Sequence, residues 1–231
     1  MGPNITDWPK MYALTENLLV ELAAVIHDPV TTTDELIPSG ETSSYRSNPL
    51  RLSEFALSRR CPDYVPKAKA VAAEEAKRRE GGSEKVEAIL SKVGDGKALA
   101  AKTQFGSCVF AHKPGDGSAR EQAASCQKVL GGFANICYEY ATKRYRSNCI
   151  NWGILPFTID QGTKFEYTEG DCVFVPDVRA KVQAGDTDFP AKVIRKDGSV
   201  EDLMLHIGGL TEDEKQIILD GCLMNYYANR Q

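Results

Sequence analysis

The sequence predicts a single α/β domain built around a mixed sheet. Helical and strand patterns alternate through the middle of the 231-residue chain, whereas short strands joined by turns dominate after residue 165. Alternation favours parallel strands joined by helical crossovers, and hairpins favour antiparallel pairing, so both kinds of pairing are expected. No linker-like stretch divides residues 17–231. Residues 1–16 are mostly polar and contain two prolines, and they are expected to form an extended lead-in.

Composition excludes several classes of protein. The chain is 42% hydrophobic and 26% charged, as in an ordinary globular protein. Its formal net charge of -4 argues against a nucleic-acid platform, which normally carries a basic excess. No apolar run reaches the length of a membrane span, and no signal peptide precedes the first polar residues. We therefore expect a cytoplasmic protein without a nucleic-acid or membrane partner.

The cysteines and histidines do not predict a metal site. The seven cysteines are scattered and contain no CxxC pair, which favours reduced core thiols over a disulfide framework or a zinc site. The three histidines lie far apart in sequence, and none has a partner at ligand spacing. The residues concerned are Cys61, Cys108, Cys126, Cys137, Cys149, Cys172, Cys222, His27, His112 and His206.

In the first half of the chain, one apolar run and one long loop stand out. Residues 18–26 are apolar except for Glu21, and periodicity alone does not distinguish a helix from a buried strand there. Residues 30–49 form a polar loop, rich in hydroxyls, that contains Asp34 and Arg46. Loops of this length are usually functional or disordered, and the flanking apolar segments argue against disorder. Helices are predicted over residues 50–60, 67–80 and 84–93, the second as a solvated surface helix.

The second half alternates and then turns into hairpins. A capping box of Thr211 and Glu214 opens a last helix that is predicted to run to about Asn229. That helix is expected to bury Ile217, Ile218 and Cys222, with Tyr226 as a further candidate. Strands are predicted at 108–111, 133–137, 154–158, 173–175, 191–194 and 200–206, helices at 119–130 and 139–152, and a hairpin turn at 196–198.

One stretch has the character of an anion-binding turn. Residues 114–122 read PGDGSAREQ and follow the predicted strand 108–111. The two glycines allow a tight turn, and Ser118 has the chemistry of an N-cap at the start of a helix that also carries Arg120. A helix N-terminus with a serine and an arginine can hold an anion. The alternative is an ordinary capped helix.

Four segments resemble, in order, the C-terminal domain of aconitases. The first combines Thr32-Thr33-Asp34, Ser39-Gly40 and Arg46, which follows the aspartate by twelve residues. The second, GDGSARE at 115–121, is similar to that domain's Gly-x-Gly-Ser-Ser-Arg-Glu motif. The others are LGG at 130–132 and NCINWGILPF at 148–157. The amino-acid sequence of residues 28–49 is most similar to that of bacterial aconitase-like hydratases of undefined substrate.

The resemblance implies a fold and a function. It implies a swivelling β/β/α three-layer domain over residues 17–231, with residues 1–16 as an interdomain linker. Such a domain closes over a [4Fe-4S] cluster carried by other domains of the protein or by a large subunit. The reaction implied is the dehydration and rehydration of a small hydroxy tri- or dicarboxylate. In the family, the serine matching Ser118 is the base, the arginines matching Arg46 and Arg120 hold substrate carboxylates, and the aspartate matching Asp34 belongs to the same site.

Two positions depart from the family pattern. Ala119 stands where the family usually has a second serine, so only its backbone N–H remains to bind substrate, and Gln122 stands where it usually has a histidine. A serine is also a weak acid, and a helix N-terminus lowers its pKa by at most about one and a half units, or about 2 kcal/mol. Ser118 is therefore expected to need Arg120 and a closed site.

The chain lacks a three-cysteine cluster motif, and by itself it is expected to be inactive. Three functions remain open from the sequence. The first is the substrate-clamping and base-supplying domain of an aconitase-like hydro-lyase. The second is a stand-alone small subunit like that of isopropylmalate isomerase. The third is a non-catalytic relative that senses a carboxylate or regulates a partner.

Overall fold

The computed structural model describes residues 6–38, 40 and 43–231, so Ser39 of the first motif lies outside the described residues, as do residues 1–5 of the lead-in. Nine strands are present in the described part of the chain: β1 Asn17–Ile26, β2 Thr31–Thr32, β3 Thr103–Ala111, β4 Pro114–Asp116, β5 Gly132–Cys137, β6 Leu155–Thr158, β7 Cys172–Val175, β8 Asp188–Ile194 and β9 Val200–His206.

The helices surround these strands. They are α1 Thr33–Leu36, α2 Pro49–Ser53, α3 Tyr64–Glu80, α4 Glu84–Leu90, α5 Gly96–Ala100, α6 Arg120–Val129, α7 Lys143–Asn151, α8 Val178–Ala184, α9 Glu212–Asp220 and α10 Leu223–Ala228, with a 3-10 turn at Ser43–Tyr45. Among the described residues, no helix is long and apolar enough to cross a bilayer.

The sheet is mixed, as predicted, but it closes into a barrel in the order β1-β3-β5-β6-β9-β8-β7. Strands β1, β3, β5 and β6 run parallel, and β7, β8 and β9 pair antiparallel. The closing contact pairs Thr158 at the end of β6 with His206 at the end of β9. The α/β class is therefore confirmed, whereas the three-layer prediction is corrected, because β9 joins two sheet edges that separate layers would leave apart.

The barrel buries both faces of its first strand. Leu18, Val20 and Leu22 point into the interior core, while Leu19 and Ile26 pack under the outer helices. A strand that is buried on both faces needs no polar alternation. This explains why residues 18–26 read as a continuous apolar run that fits a helix as well as a strand.

Several predicted helices are shorter than their patterns suggest. In the predicted helix 50–60 only Pro49–Ser53 is helical, and the chain then turns through Leu57 at φ 54°. The last helix breaks at Gly221 (φ 104°), where a Cβ would stand 2.3 Å from the Tyr12 carbonyl oxygen of the passing lead-in. Ile217, Ile218 and Cys222 are buried as predicted, whereas Tyr226 is only half-buried.

Helix α3 is more than a solvated surface helix. Glu75 is buried, accepts the backbone N–H of Phe105 at 3.1 Å and pairs with Arg78 and Arg79. A surface helix of charged residues therefore carries one buried carboxylate that ties it to β3. Glu75 was not singled out from the sequence, although it continues the buried stripe of Tyr64, Ala68 and Val71 at helical spacing.

The described part of the lead-in, residues 6–16, lies against the body of the domain. Leu14 N donates to Leu219 O at 3.0 Å, and Asn225 Nδ2 donates to Met11 O at 3.0 Å. The Arg79 guanidinium lies over the Tyr12 ring at 4.0 Å from its centroid. These contacts hold the segment in an extended path across α3, α9 and α10.

Candidate functional site

A two-stranded ladder brings the two candidate loops together. Strand β2 pairs with β4 in parallel, matching Thr31 with Pro114 and Thr32 with Asp116. Both loops leave the barrel at the carboxyl ends of neighbouring parallel strands, β1 and β3, where α/β folds commonly bind ligands. The Thr32 side chain caps α1 in a capping box with Glu35, and this places Asp34 beside the second loop.

Two glycines of the second loop make close approaches that no other residue could make. A Cβ at Gly115 (φ 100°) would stand 2.3 Å from the ring of Tyr145. A Cβ at Gly117 (φ 131°) would stand 2.2 Å from the Thr33 hydroxyl oxygen. The backbone just before Ser118 is therefore packed against α7 on one side and against the Asp34 loop on the other.

Ser118 is not the N-cap of the helix that follows it. Helix α6 begins at Arg120, its N-cap is Ala119, and no side chain caps it. Ser118 is exposed and makes no side-chain hydrogen bond to any described residue. The predicted turn and helix are confirmed, but the capping role is wrong, because the turn continues one residue further. No side-chain hydrogen bond to a described residue therefore fixes the orientation of the Ser118 hydroxyl.

Ser118 and Arg120 border a surface hollow of about 370 Å³. Its lining residues are Ser118, Arg120, Glu121, Lys143, Arg144, Ser147 and Asn148. Three of these side chains are cations and one is a carboxylate. None of the three cations has an ion pair to another described residue, and Arg120 Nε is buried without a hydrogen-bond partner there. A chain of net charge -4 thus collects unpaired positive charge at one place, which suits an anionic ligand.

The other two predicted site residues stand outside this hollow. Asp34 is exposed and lies 3.9 Å from Arg59 across an ion pair. Arg46 is exposed and lies in the turn closed by the hydrogen bond from Asn48 N to Tyr45 O, directly after the 3-10 turn Ser43–Tyr45. The structure therefore brings Ser118, Ala119 and Arg120 together and places the Asp34 loop next to them through Thr33, without a direct contact from Arg46.

Three lining residues were missed by the sequence reasoning. Lys143, Arg144 and Ser147 lie on α7, which Thr142 caps, and they share one face of that helix with Asn148. The resemblance covered Asn148 but began after the other three. The sequence contained a signal for these three residues, because two cations and a serine follow strand β5 at spacings that place them on one face of a helix.

A neutral polar network lies beneath the hollow. Gln127 Nε2 donates to Asn135 Oδ1 at 2.7 Å, and Asn135 Nδ2 donates to Tyr145 Oη at 3.3 Å. Burial raises the pKa of Tyr145 well above its ordinary value and that of Cys149 to about 12, so both stay protonated. The floor of the site therefore adds hydrogen bonds and rigidity but no charge.

The described residues do not fit an iron–sulfur cluster. No group of three or more histidine, cysteine or acidic side chains in the described part of the chain could hold a metal ion. All seven cysteines are free, six of them are buried, and burial raises the pKa of thiols such as Cys108 and Cys137. Thiolates are the form that binds iron, and a raised pKa disfavours that form. The prediction that most of the cysteines are core residues is confirmed by the burial of six of them.

Two of the histidines, far apart in sequence, meet in space. His27 Nδ1 and His112 Nε2 are 3.4 Å apart. They follow β1 and β3, whose register pairs Ile26 with Ala111. Burial, and then the charge of His27, lower the pKa of His112. The spacing of the histidines in the sequence did not indicate this contact, because strand register brings the two residues together.

Comparisons with known proteins agree with this fold and motif set. A family model described as the aconitase C-terminal domain matches residues 73–162, which include Ser118 and Arg120 but not Asp34 or Arg46. An aconitate hydratase A of Bradyrhizobium diazoefficiens is 30% identical over 122 residues, 50% of this chain and 13% of that protein. A 3-isopropylmalate dehydratase small subunit of Metallosphaera sedula is 36% identical over 106 residues, 45% of this chain and 61% of that protein.

A solved structure extends the likeness to nearly the whole fold. The 3-isopropylmalate dehydratase structure from Methanocaldococcus jannaschii superposes with a TM-score of 0.52 at 20% identity, covering 93% of this chain and 95% of that one. At that identity the likeness concerns the fold alone. The family match, the two relatives and the shared fold point the same way: residues 73–162 match the aconitase C-terminal domain, and the chain is similar to an aconitate hydratase and to a 3-isopropylmalate dehydratase small subunit over about half of its length.

Proposed function

We propose that this chain is the substrate-clamping and base-supplying domain of an aconitase-like hydro-lyase. The observation that carries the proposal is the hollow in which Ser118 stands beside three cations without ion pairs among the described residues. The substrate is a small hydroxy tri- or dicarboxylate, which is dehydrated and rehydrated. Residues 17–231 form the swivelling domain, and residues 1–16 connect it to the rest of the protein, in the cytoplasm.

In this proposal Arg120 binds a substrate carboxylate, because its guanidinium presents a fork of donors that matches a carboxylate. The backbone N–H of Ala119, at the N-cap of α6, is a further donor for the same group. Arg46 binds a second carboxylate when the loop that carries it closes toward the hollow. Asp34, which lies 3.9 Å from Arg59 across an ion pair, orients a neighbouring group of the site.

Ser118 accepts the proton that leaves the substrate carbon. Its hydroxyl is exposed and makes no side-chain hydrogen bond in the described part of the chain, so its position is available to substrate. As an alkoxide it would be too basic to form in open water at neutral pH. Closure of a partner over the hollow would exclude water and strengthen the stabilisation by Arg120.

The [4Fe-4S] cluster belongs to partner domains, because no group of side chains among the described residues could hold it. The partner is either the remainder of a longer protein or a large subunit. The alignments cover only 13% and 61% of the two curated relatives, which supports a chain that acts together with further domains. The isolated chain is accordingly expected to bind carboxylates without turning them over.

The alternative of a stand-alone small subunit has one observation in its favour. The fold covers 95% of a 3-isopropylmalate dehydratase chain. In that arrangement the same hollow would face a separately encoded large subunit. Copurification of a separate large subunit with the native chain would favour this alternative, whereas a single polypeptide that contains both parts would exclude it.

The test is turnover of the complete, cluster-loaded protein. Ser118→Ala is expected to reduce kcat by at least about a hundredfold, the range expected for a lost general base. Arg120→Lys is expected to raise KM and lower kcat. Matched controls are Ser91→Ala and Arg230→Lys, at exposed positions on other elements. Unchanged turnover in both site variants would refute the proposal and favour a non-catalytic carboxylate sensor, to which Ala119 and Gln122 would then be adaptations.

A further inference from the structure

The contact between His27 and His112 lies where the two site loops leave the barrel. His27 stands between β1 and β2, and His112 stands between β3 and β4. The loop that carries Asp34 and the loop that carries Ser118 therefore both begin at this pair. Whatever joins the two imidazole rings also joins the bases of the two loops.

The distance between the two ring nitrogens suits a shared metal ion. His27 Nδ1 and His112 Nε2 are 3.4 Å apart, which is longer than the range of about 2.7–3.2 Å that is usual for N–H···O hydrogen bonds in proteins. Imidazole nitrogens bind zinc at about 2.0–2.1 Å in a tetrahedral arrangement, so two of them on one ion are separated by about 3.3–3.4 Å. The pair has the spacing of two ligands of one tetrahedral ion.

The fold holds both histidines in place before any ion binds. The backbone N–H groups of Tyr138 and Glu139 donate to His112 O at 3.2 and 3.3 Å. The rings of His27 and His112 both lie beside the core ring of Phe110, with centroids 5.8 and 5.7 Å from it. Ligands whose positions are already fixed lose little conformational freedom on binding, which favours affinity.

The cations that flank the pair are already neutralised. Arg60 pairs with Asp28, and Lys113 Nζ lies 3.5 Å from a carboxylate oxygen of Glu139. Their positive charge is therefore compensated locally and does not strongly repel a dication. Of the two histidines, one is exposed and the other is half-buried, so an ion can reach the ring nitrogens from solvent.

We propose that His27 and His112 together bind a transition-metal dication of the zinc type, with water in the remaining coordination positions. Imidazole is a ligand that suits zinc, copper and nickel, whereas magnesium prefers carboxylate, carbonyl and water oxygens. The bound ion ties the end of β1 to the end of β3 and fixes the spacing of the two site loops at their bases. This site does not depend on the proposed function, since neither histidine lines the cationic hollow.

Calorimetric titration with zinc chloride tests the site. The untagged chain is first treated with EDTA, dialysed and kept reduced. One zinc ion is expected to bind per chain, and magnesium chloride is expected to give no binding heat over the same range, because imidazole does not suit magnesium. Absence of zinc binding would overturn the inference. Equal binding of the two ions would overturn it as well, because it would show attraction of charge without imidazole ligation.

Matched variants locate the ion. His27→Gln and His112→Gln are each expected to weaken zinc binding at least about tenfold, since even residues that only hydrogen-bond to a metal ligand contribute about ten- to a hundredfold. His206→Gln removes the one other histidine of the sequence, which lies between Asp160 and Asp188, and is expected to change zinc affinity less than about twofold. Zinc binding that persists in both site variants would overturn the inference.

NMR of the native chain keeps the test decisive if a variant does not fold. Zinc is expected to shift the ring signals of His27 and His112 together, at one ion per chain, and to leave those of His206 unchanged. Subsequent addition of EDTA is expected to restore the original signals. Zinc binding with unshifted signals from His27 and His112 would place the ion elsewhere and overturn the inference, as would a shift of only one of the two.

Discussion

Gly117 passes so close to Thr33 that a Cβ at the glycine would stand 2.2 Å from the threonine hydroxyl oxygen. The two residues belong to separate loops, one carrying Ser118 and the other Asp34. Their contact fixes how far apart those side chains can be. It also explains why the second loop needs a glycine at φ 131°, a conformation that L side chains rarely adopt.

Replacing Gly117 is therefore expected to disturb the site. Gly117→Ala should lower stability by about 1–3 kcal/mol, from the steric clash and the strained φ, and should weaken succinate binding. Gly162→Ala, where nothing lies within 4 Å, is the control in thermal unfolding and in titration. Adding Thr33→Ala to Gly117→Ala should recover part of the loss. Strictly additive effects of the two substitutions would show that the contact does not matter.

Lys128 is expected to make the free energy of unfolding depend on pH in the alkaline range. Burial lowers the pKa of this lysine to about 8, from an ordinary 10.5. Between pH 8 and 10.5 the unfolded chain therefore binds more protons than the folded chain does. The contribution of Lys128 to the free energy of unfolding rises with pH over that range. At pH 7, burying the charged amine lowers the free energy of unfolding by about 3 kcal/mol. Lys128→Met is expected to be more stable than the native chain at pH 7, with the difference shrinking by pH 10.

Urea unfolding at the two pH values checks this prediction. The gain at pH 7 is expected to be smaller than the full cost, because Lys128 Nζ also bonds Gly153 O at 3.4 Å and lies over the Phe133 ring. Lys97→Met, at an exposed lysine on α5, controls for a general effect of removing positive charge. A less stable Lys128→Met protein at pH 7 would mean that these contacts outweigh the burial of the amine.

The His27–His112 pair should respond to acid. The pKa of His112 is lowered by burial and by His27, so the unfolded chain binds more protons below the ordinary value of about 6.5. The contribution of His112 to the free energy of unfolding is complete above about pH 6.5, its ordinary pKa. It is lost as the pH falls through the lower pKa that His112 has in the folded chain. NMR titration of the His112 ring measures the shift directly.

In His27→Gln the His112 midpoint is expected to move upward, toward the ordinary value. Nearby charges are already paired, Asp28 with Arg60 and Lys113 with Glu139, so they should change little between the two proteins. His206, which lies between Asp160 and Asp188, is the internal reference in the same spectra. An unmoved His112 midpoint would assign its lowered pKa to burial alone.

Glu75 is expected to be the most sensitive charge on α3. Its carboxylate is buried and serves Arg78, Arg79 and the Phe105 amide. Glu75→Gln leaves the mostly buried Arg78 without its partner, which should cost about 3–5 kcal/mol. Glu80→Gln, at an exposed position of the same helix, should cost less than about 0.5 kcal/mol. Equal midpoints of chemical denaturation for the two variants would contradict this reading.

The sequence by itself determined the local elements and the loop motifs. The capping box at Thr211 and the glycine-rich turn before α6 were predictable, because caps and turns depend on residues within a few positions of one another. The α/β class followed from the alternation of helices and strands. The resemblance to the aconitase C-terminal domain could be recognised from four motifs in order, and a family model matches the stretch that contains three of them. The roles of Ser118, Arg120, Arg46 and Asp34 remain predictions.

Only the tertiary structure decided which residues distant in sequence come into contact. Closure of the barrel through Thr158 and His206, the contact of His27 with His112 and the burial of Glu75 all join residues that lie tens of positions apart. So does the hollow that brings Ser118 and Arg120 together with Lys143 and Arg144. Such contacts depend on strand register and helix packing, which the periodicity of one segment does not specify, because they are set by the burial of all segments together.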